Sequence, residues 1–356
     1  MHTIRVMIVD DVALVRRLVA NALTADPALQ IVGAAAEGAE ALAKIPVVRP
    51  DVLVLDYEMP GMNGLETLRH VRKTHPNVRV ILFSTHTRTG AKLTLDALWL
   101  GADDYATKVT ATSMIDAIRC VQTELIPKIK ALCPAPGPPA AIGPSRIPSV
   151  SAGGTGSRTD VLVIGASTGG PKALATILES LPPELPVPIV LAQHMPPLFT
   201  RSLAERITGS TPHRGAEATD GAPLTTGTVW IAPGNYHLSL VRRNGEVRLA
   251  LSSDPPENSC RPSVDPLFRS AAEVYGAGAL GVVLTGMGQD GLRGARAVRE
   301  AGGRILVQDE ATSVVWGMPG AIARAGLADA VVPIGAMAGE IVRLTAGTRG
   351  PRATVA

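Results

Sequence analysis

Two α/β units, each a parallel sheet covered by helices and joined by a linker, are what the sequence predicts, on three observations. Strand-length apolar runs alternate with segments of helical periodicity along most of the chain, the pattern of parallel sheets with helices on both faces. The alternation stops once, in the Pro/Gly/Ala/Ser-rich stretch Pro134 to Ser157, and restarts at Asp160. In the second half an Asn244-Gly245 step separates two alternating runs, a strong hairpin signal, so an antiparallel excursion interrupts the parallel pattern.

The first unit opens with the apolar run Ile4 to Val9, which ends in Asp10-Asp11 and is followed by Leu14, Val15, Leu18, Val19, Ala22 and Leu23 at helical spacing. Further strands are expected at Gln30 to Ala34, Val52 to Leu55, Val78 to Phe83 and Asp104 to Ala106. A closing helix carries Met114, Ile115, Ile118, Val121 and Leu125. Residues 1–125 therefore form the first domain and 126–157 the linker, whose repeated X-Pro steps favour extended backbone. The second domain, 158–348, has strands expected at Val161 to Ile164, Ile189 to Ala192, Thr228 to Ala232, Leu280 to Leu284 and Arg304 to Val307. Tyr236 to Val241 and Glu246 to Leu251 form the hairpin.

With 46% hydrophobic and 18% charged residues, the 356-residue chain can bury two proper cores. No run approaches the ~20 apolar residues of a bilayer span and no leader-like segment opens the chain, so a cytoplasmic protein is expected. Cys120, Cys133 and Cys260 are too scattered for a disulfide framework or a zinc site. A net charge of +3 without a long basic block gives no nucleic-acid footprint.

In the first unit Asp10, Asp11 and Asp56 end strands that converge if the first and third are neighbours. Converging carboxylates repel unless a cation sits among them, and few hard oxygen ligands suit Mg²⁺. Ser84 brings a hydroxyl and Lys108 an ammonium to the same edge. These residues, with the segment LDYEMPGMNGLE, resemble the two-component receiver domain from Met1 to about Leu125. The resemblance implies a flavodoxin-like five-stranded parallel sheet in which Asp56 accepts phosphate from a histidine kinase. It also implies that Asp10, Asp11 and Asp56 hold Mg²⁺ with a backbone carbonyl near Glu58, that Ser84 and Lys108 contact the phosphoryl oxygens, and that the Tyr105 rotamer reports phosphorylation. Val109 follows Lys108 where the family usually has proline.

In the second unit the stretch VLVIGASTGG reads as strand, tight turn and helix start, with Ser167 exposed at the carboxyl edge of the sheet. A helix N-terminus favours an alkoxide there, or equally a bound phosphate. His194 closes the next strand, and Asp290 lies in the glycine-rich loop LTGMGQDG past another apolar strand. Together they make a nucleophile, a base and an orienting acid. The glycines beside Met287 let its backbone N–H turn toward an oxyanion. The order Ser167, His194, Asp290 is not that of an α/β-hydrolase, which places its histidine last.

Linked to a receiver, the segments IGASTGG, LAQHMP, IAPGNYHL, RPSVDPLF, LTGMGQDG and GMPGAI resemble the catalytic domain of the chemotaxis protein-glutamate methylesterases, from about Thr159 to Pro333. The resemblance implies a doubly wound α/β domain that hydrolyses glutamate γ-methyl esters on the cytoplasmic helices of chemoreceptors, releasing methanol, with deamidation of specific glutamines. It implies phosphorylation-controlled activity fed by the chemotaxis histidine kinase, the Met287 N–H as oxyanion donor, and Thr168 in the hydrogen-bond network of the site. Mg²⁺ belongs to the receiver alone, and the ester hydrolysis is expected to need no cofactor. Two other classes fit less well. A DNA-binding response regulator lacks a helix-turn-helix here, and a nucleotide-binding reading of GASTGG lacks the Gly-x-Gly-x-x-Gly order.

Overall fold

The computed structural model describes residues 3–85, 87–108, 114–134 and 158–346, and the chain divides into two compact units. Most of the expected linker (135–157), Val109 and the last residues of the second expected domain lie outside the described residues. Among the described residues no helix is long and apolar enough to cross a membrane.

The first unit is a five-stranded parallel sheet in the order β2-β1-β3-β4-β5, built from Ile4–Val9, Leu29–Ala35, Val52–Asp56, Arg79–Thr85 and Asp104–Lys108. The central strand β3 is buried along its whole length, as a strand covered on both faces requires. Helices α1 (Ala13–Leu23), α2 (Gly38–Val48), α3 (Gly64–Thr74), α4 (Arg88–Trp99) and α5 (Met114–Cys120) follow the strands. Because β1 neighbours β3, the loops after both meet at the point where strand order reverses, the usual crevice of open α/β sheets.

Helical structure does not end at Leu125 but continues from a π-helical segment, Val121–Leu125, into α6, Ile126–Leu132. Val121, Leu125, Ile129 and Leu132 are all buried, so the apolar face runs on, and Pro127 sits in the first turn of α6, where a missing N–H is tolerated.

The second unit carries a seven-stranded parallel sheet in the order β14-β13-β12-β6-β7-β9-β8. Its inner strands are β6 (Val161–Ala166), β7 (Ile189–Gln193), β9 (Thr228–Ile231), β12 (Ala279–Val283) and β13 (Arg304–Gln308). The edge strands β8 (Arg214–Glu217) and β14 (Ala330–Val332) are four and three residues long and went unread in the sequence, being too short to show a period. The hairpin forms as expected from β10 (His237–Arg243) and β11 (Glu246–Ser252), with Asn244 at φ 50 and Gly245 at φ 83 in the left-handed turn that an Asn-Gly pair favours.

Helix α9 (Val264–Tyr275) links hairpin and sheet: Leu238, Leu240 and Leu249 share one core cluster with Val264, Leu267 and Phe268. Its approach to β6 explains Gly165. A Cβ at that strand position would stand 2.5 Å from Val264 Cγ1, so Gly165 serves helix packing and not the turn after the strand.

Candidate active site

Three loops meet at the carboxyl edge where β12, β6 and β7 lie side by side. Ser167 follows β6 in the turn into α7 (Gly170–Ser180), His194 follows β7, and Asp290 lies between β12 and α10 (Leu292–Glu300). Gly169, with φ 76, closes the serine turn, and Ser167 O accepts from Gly170 N–H at 2.8 Å.

The sheet order brings the three residues into hydrogen-bond contact. Ser167 Oγ–H donates to His194 Nδ1 across 3.1 Å, and His194 Nε2–H donates to Asp290 Oδ2 across 2.7 Å. Turning the ring over would put carbon atoms at both contacts. The surroundings therefore assign the proton to Nε2 and leave the Nδ1 lone pair facing the serine.

Asp290 is 2% exposed and densely solvated by protein donors. Its Oδ2 also accepts from Val264 N–H at 2.7 Å, while Oδ1 accepts from Ser263 Oγ–H at 2.7 Å, Asn258 Nδ2 at 2.9 Å, Gly291 N–H at 2.9 Å and Asp265 N–H at 3.2 Å. Val264 and Asp265 open α9, so the carboxylate caps that helix from another loop and rests on the positive end of its dipole. Burial opposes both charges of the pair. The imidazole contact and the Val264 and Ser263 donors nevertheless hold Asp290 down at about 2. The carboxylate and the Cys260 sulfur lift His194 to about 9 against the same burial.

Sequence reading missed Asn258, Cys260, Ser263 and the Val264 amide. A serine before an apolar helical run reads as that helix's own cap, yet Ser263 makes no cap bond and turns its hydroxyl to Asp290. Cys260 Sγ lies 3.4 Å from His194 Nδ1. Met287 stands in the loop of Asp290, and its N–H has no acceptor among the described residues. Thr168 is buried, and its carbonyl accepts from Thr285 Oγ1 at 2.9 Å.

The carboxyl edge of the first unit gathers the other predicted residues. Asp10, Asp11 and Asp56 each offer a carboxylate oxygen within 4.8 Å of the others, a hard-oxygen set that fits Mg²⁺. Lys108 Nζ pairs with Asp10 at 2.7 Å and Asp56 at 2.6 Å. Burial raises Asp56 to about 6 despite that ammonium. Asp56 ends β3, and its register partner on β4, Phe83, directly precedes the buried Ser84, whose Oγ–H donates to Gly90 O at 3.4 Å. Tyr105 is buried, with Lys128 Nζ 4.8 Å from the centre of its ring.

Residues 162–341 match the family model described as CheB methylesterase, and residues 6–119 match the response regulator receiver domain. A protein-glutamate methylesterase/protein-glutamine glutaminase of Trichodesmium erythraeum is 48% identical over 349 residues, covering 96% of this chain and 99% of that protein. One of the same description from Nocardioides sp. is 47% identical over 359 residues, 98% of this chain and 97% of its own. The crystal structure of the Thermotoga maritima CheB methylesterase catalytic domain, 42% identical, is covered completely by 53% of this chain with a TM-score of 0.52.

Proposed function

The chain belongs to the CheB methylesterase family, in the receiver-linked form described as protein-glutamate methylesterase/protein-glutamine glutaminase, and from that membership we propose that Ser167, His194 and Asp290 perform the hydrolysis under control of phosphorylation at Asp56. The observation that carries this reading is a single imidazole ring bridging Ser167 at 3.1 Å and Asp290 at 2.7 Å.

In this mechanism Ser167 Oγ attacks the carbonyl carbon of a glutamate γ-methyl ester as its proton passes to His194 Nδ1. The Nε2–H bond to Asp290 stabilises the imidazolium, and the donors on Asp290 keep that carboxylate charged and fixed. The carbonyl electrons move onto oxygen, which the Met287 N–H meets. Collapse re-forms the carbonyl, breaks the bond to the methoxy oxygen and returns the Nδ1 proton to it, so methanol leaves. Water then attacks the acyl-serine by the same route and releases glutamate and free Ser167. A glutamine side chain would lose ammonia at the stage where the ester loses methanol. The substrates are cytoplasmic helices of methyl-accepting chemoreceptors, so the reaction runs in the cytoplasm.

At the receiver edge, Asp10, Asp11 and Asp56 would hold Mg²⁺, which when bound offsets negative charge during phosphoryl transfer. Asp56 accepts the phosphoryl group from a chemotaxis histidine kinase. Lys108 then shifts from its carboxylate partners to the new phosphoryl oxygens, and Ser84 donates its hydroxyl to them. A fluorophosphonate tests the core of this reading: it should modify Ser167, found by peptide mass, and abolish methanol release from methylated receptor fragments in proportion. Modification elsewhere, or activity that survives full modification of Ser167, overturns it.

A further inference from the structure

His194 Nδ1 faces two donors with one lone pair. Since Asp290 holds the Nε2 proton, Ser167 Oγ at 3.1 Å and Cys260 Sγ at 3.4 Å both converge on the same acceptor. We propose that Cys260 is a positioning residue that shares the base with Ser167, and that a thiol stands there because it fills the space beside the ring while competing only weakly for the lone pair. This rests on the Ser-His-Asp reading above.

The thiol is held firmly in place. Asn258, three residues into the loop after Pro255, adopts φ 51 and donates through Nδ2 to Asp290 Oδ1 and Asp265 Oδ2, both at 2.9 Å. Cys260 N–H donates to Glu257 O at 2.9 Å, and His237 Nε2–H donates to Pro255 O at 3.1 Å. The loop that carries Cys260 is therefore tied to the same carboxylate that orients His194, so Sγ and the ring keep a fixed relation.

The chemistry of the two elements then decides their shares. S–H is a weak donor and sulfur a weak acceptor, whereas a hydroxyl is good at both. In the resting site the serine proton takes the lone pair with little opposition. After Ser167 attacks, Nδ1–H must reach the departing methoxy oxygen, and a sulfur neighbour holds it less firmly than a hydroxyl oxygen would. A hydroxyl at residue 260 would compete at both steps.

The test sets two substitutions in the full-length chain against each other. A purely structural role ranks the near-isosteric Cys260→Ser close to wild type and the truncating Cys260→Ala below it. Sharing of the base reverses that order: Cys260→Ser falls below Cys260→Ala in kcat for methanol release by about fivefold, with KM the same in both. Fivefold is ~1 kcal/mol, one neutral hydrogen bond, at about 1.4 kcal/mol per decade. The rate of fluorophosphonate modification of Ser167 should follow the same order. A direct measurement needs no substrate: ¹⁵N resonances of the His194 ring should shift at Nδ1 much more than at Nε2 on Cys260→Ala. Equal or inverted kcat order, or an unmoved Nδ1 resonance, overturns the proposal. A Ser167→Ala chain that still hydrolyses ester would instead overturn the triad on which it rests.

Discussion

Asp290 caps the helix that begins at Val264. The Val264 N–H donates to Asp290 Oδ2 at 2.7 Å, and the same oxygen receives His194 Nε2–H at 2.7 Å. One carboxylate oxygen thus joins a helix terminus to the ring that faces Ser167. Its charge is supported by the backbone N–H groups and dipole of that helix terminus.

Asp290→Asn should still fold, because an amide fills the same space, but melt lower, because its NH₂ meets N–H donors on whichever side it takes, and it should lose about 10³- to 10⁴-fold in kcat. If its oxygen faces Nε2–H, it no longer supports the imidazolium; if its NH₂ does, Nε2 must become an acceptor and the proton moves to Nδ1, the wrong tautomer for Ser167. Methanol release at fixed pH, alongside a thermal melt, checks this. A loss smaller than tenfold would mean that the acid is not needed for orientation.

Ser263→Ala removes one donor from Asp290 Oδ1 and leaves four of those described on the carboxylate apart from His194. The expected result is a kcat reduced about tenfold and stability lowered by ~1.5–3 kcal/mol, the range for a hydrogen bond to a charged group. Steady-state kinetics and denaturant melts measure the two separately.

Ser167→Ala and His194→Ala should each remove most activity, and the double substitution should be little worse than either alone, because in the proposed mechanism the two act as one proton-transfer unit. Single-turnover rates for the three variants decide it. Multiplying effects would show two independent contributions.

In the proposed mechanism His194 must be unprotonated to accept the serine proton, and its pKa is lifted to about 9. Activity therefore rises with pH well past 7, and the acid limb of kcat/KM lies above the ordinary imidazole value of about 6.5. The linked stability runs the other way. The raised histidine contributes stability in full below its unfolded pKa of about 6.5, and that contribution is lost as pH rises through the folded value. A pH–rate profile and thermal melts across pH 6 to 10 test both signs.

A chain starting at Arg158 should be constitutively active and indifferent to a chelator, while the full-length chain should respond to a small phosphodonor only with Mg²⁺ present. Full-length Asp56→Ala should stay basal under both conditions. A receiver-imposed bias of ~2 kcal/mol corresponds to about thirtyfold activation. If the shortened chain is no faster than the unphosphorylated full-length protein, the receiver activates by contributing something rather than by restraint.

Local periodicity and turn chemistry in the sequence determined the element types, the hairpin at Asn244-Gly245, and the placement of Ser167, His194, Asp56 and Asp290 at or just past the ends of apolar strands. Those signals are short-range, because side-chain period and left-handed turn residues depend on a few neighbours along the chain. Tertiary structure alone decided that β12, β6 and β7 are adjacent, which converts three separate strand ends into one site. It alone decided which ring nitrogen meets which partner, and that Asn258, Cys260, Ser263 and the start of α9 close around Asp290 and His194. The continuation through α6 and the short edge strands β8 and β14 also depended on burial against distant elements. Strand neighbours and hydrogen-bond partners far apart in the chain are selected by packing of the whole unit, and no local pattern in the residues carries that information.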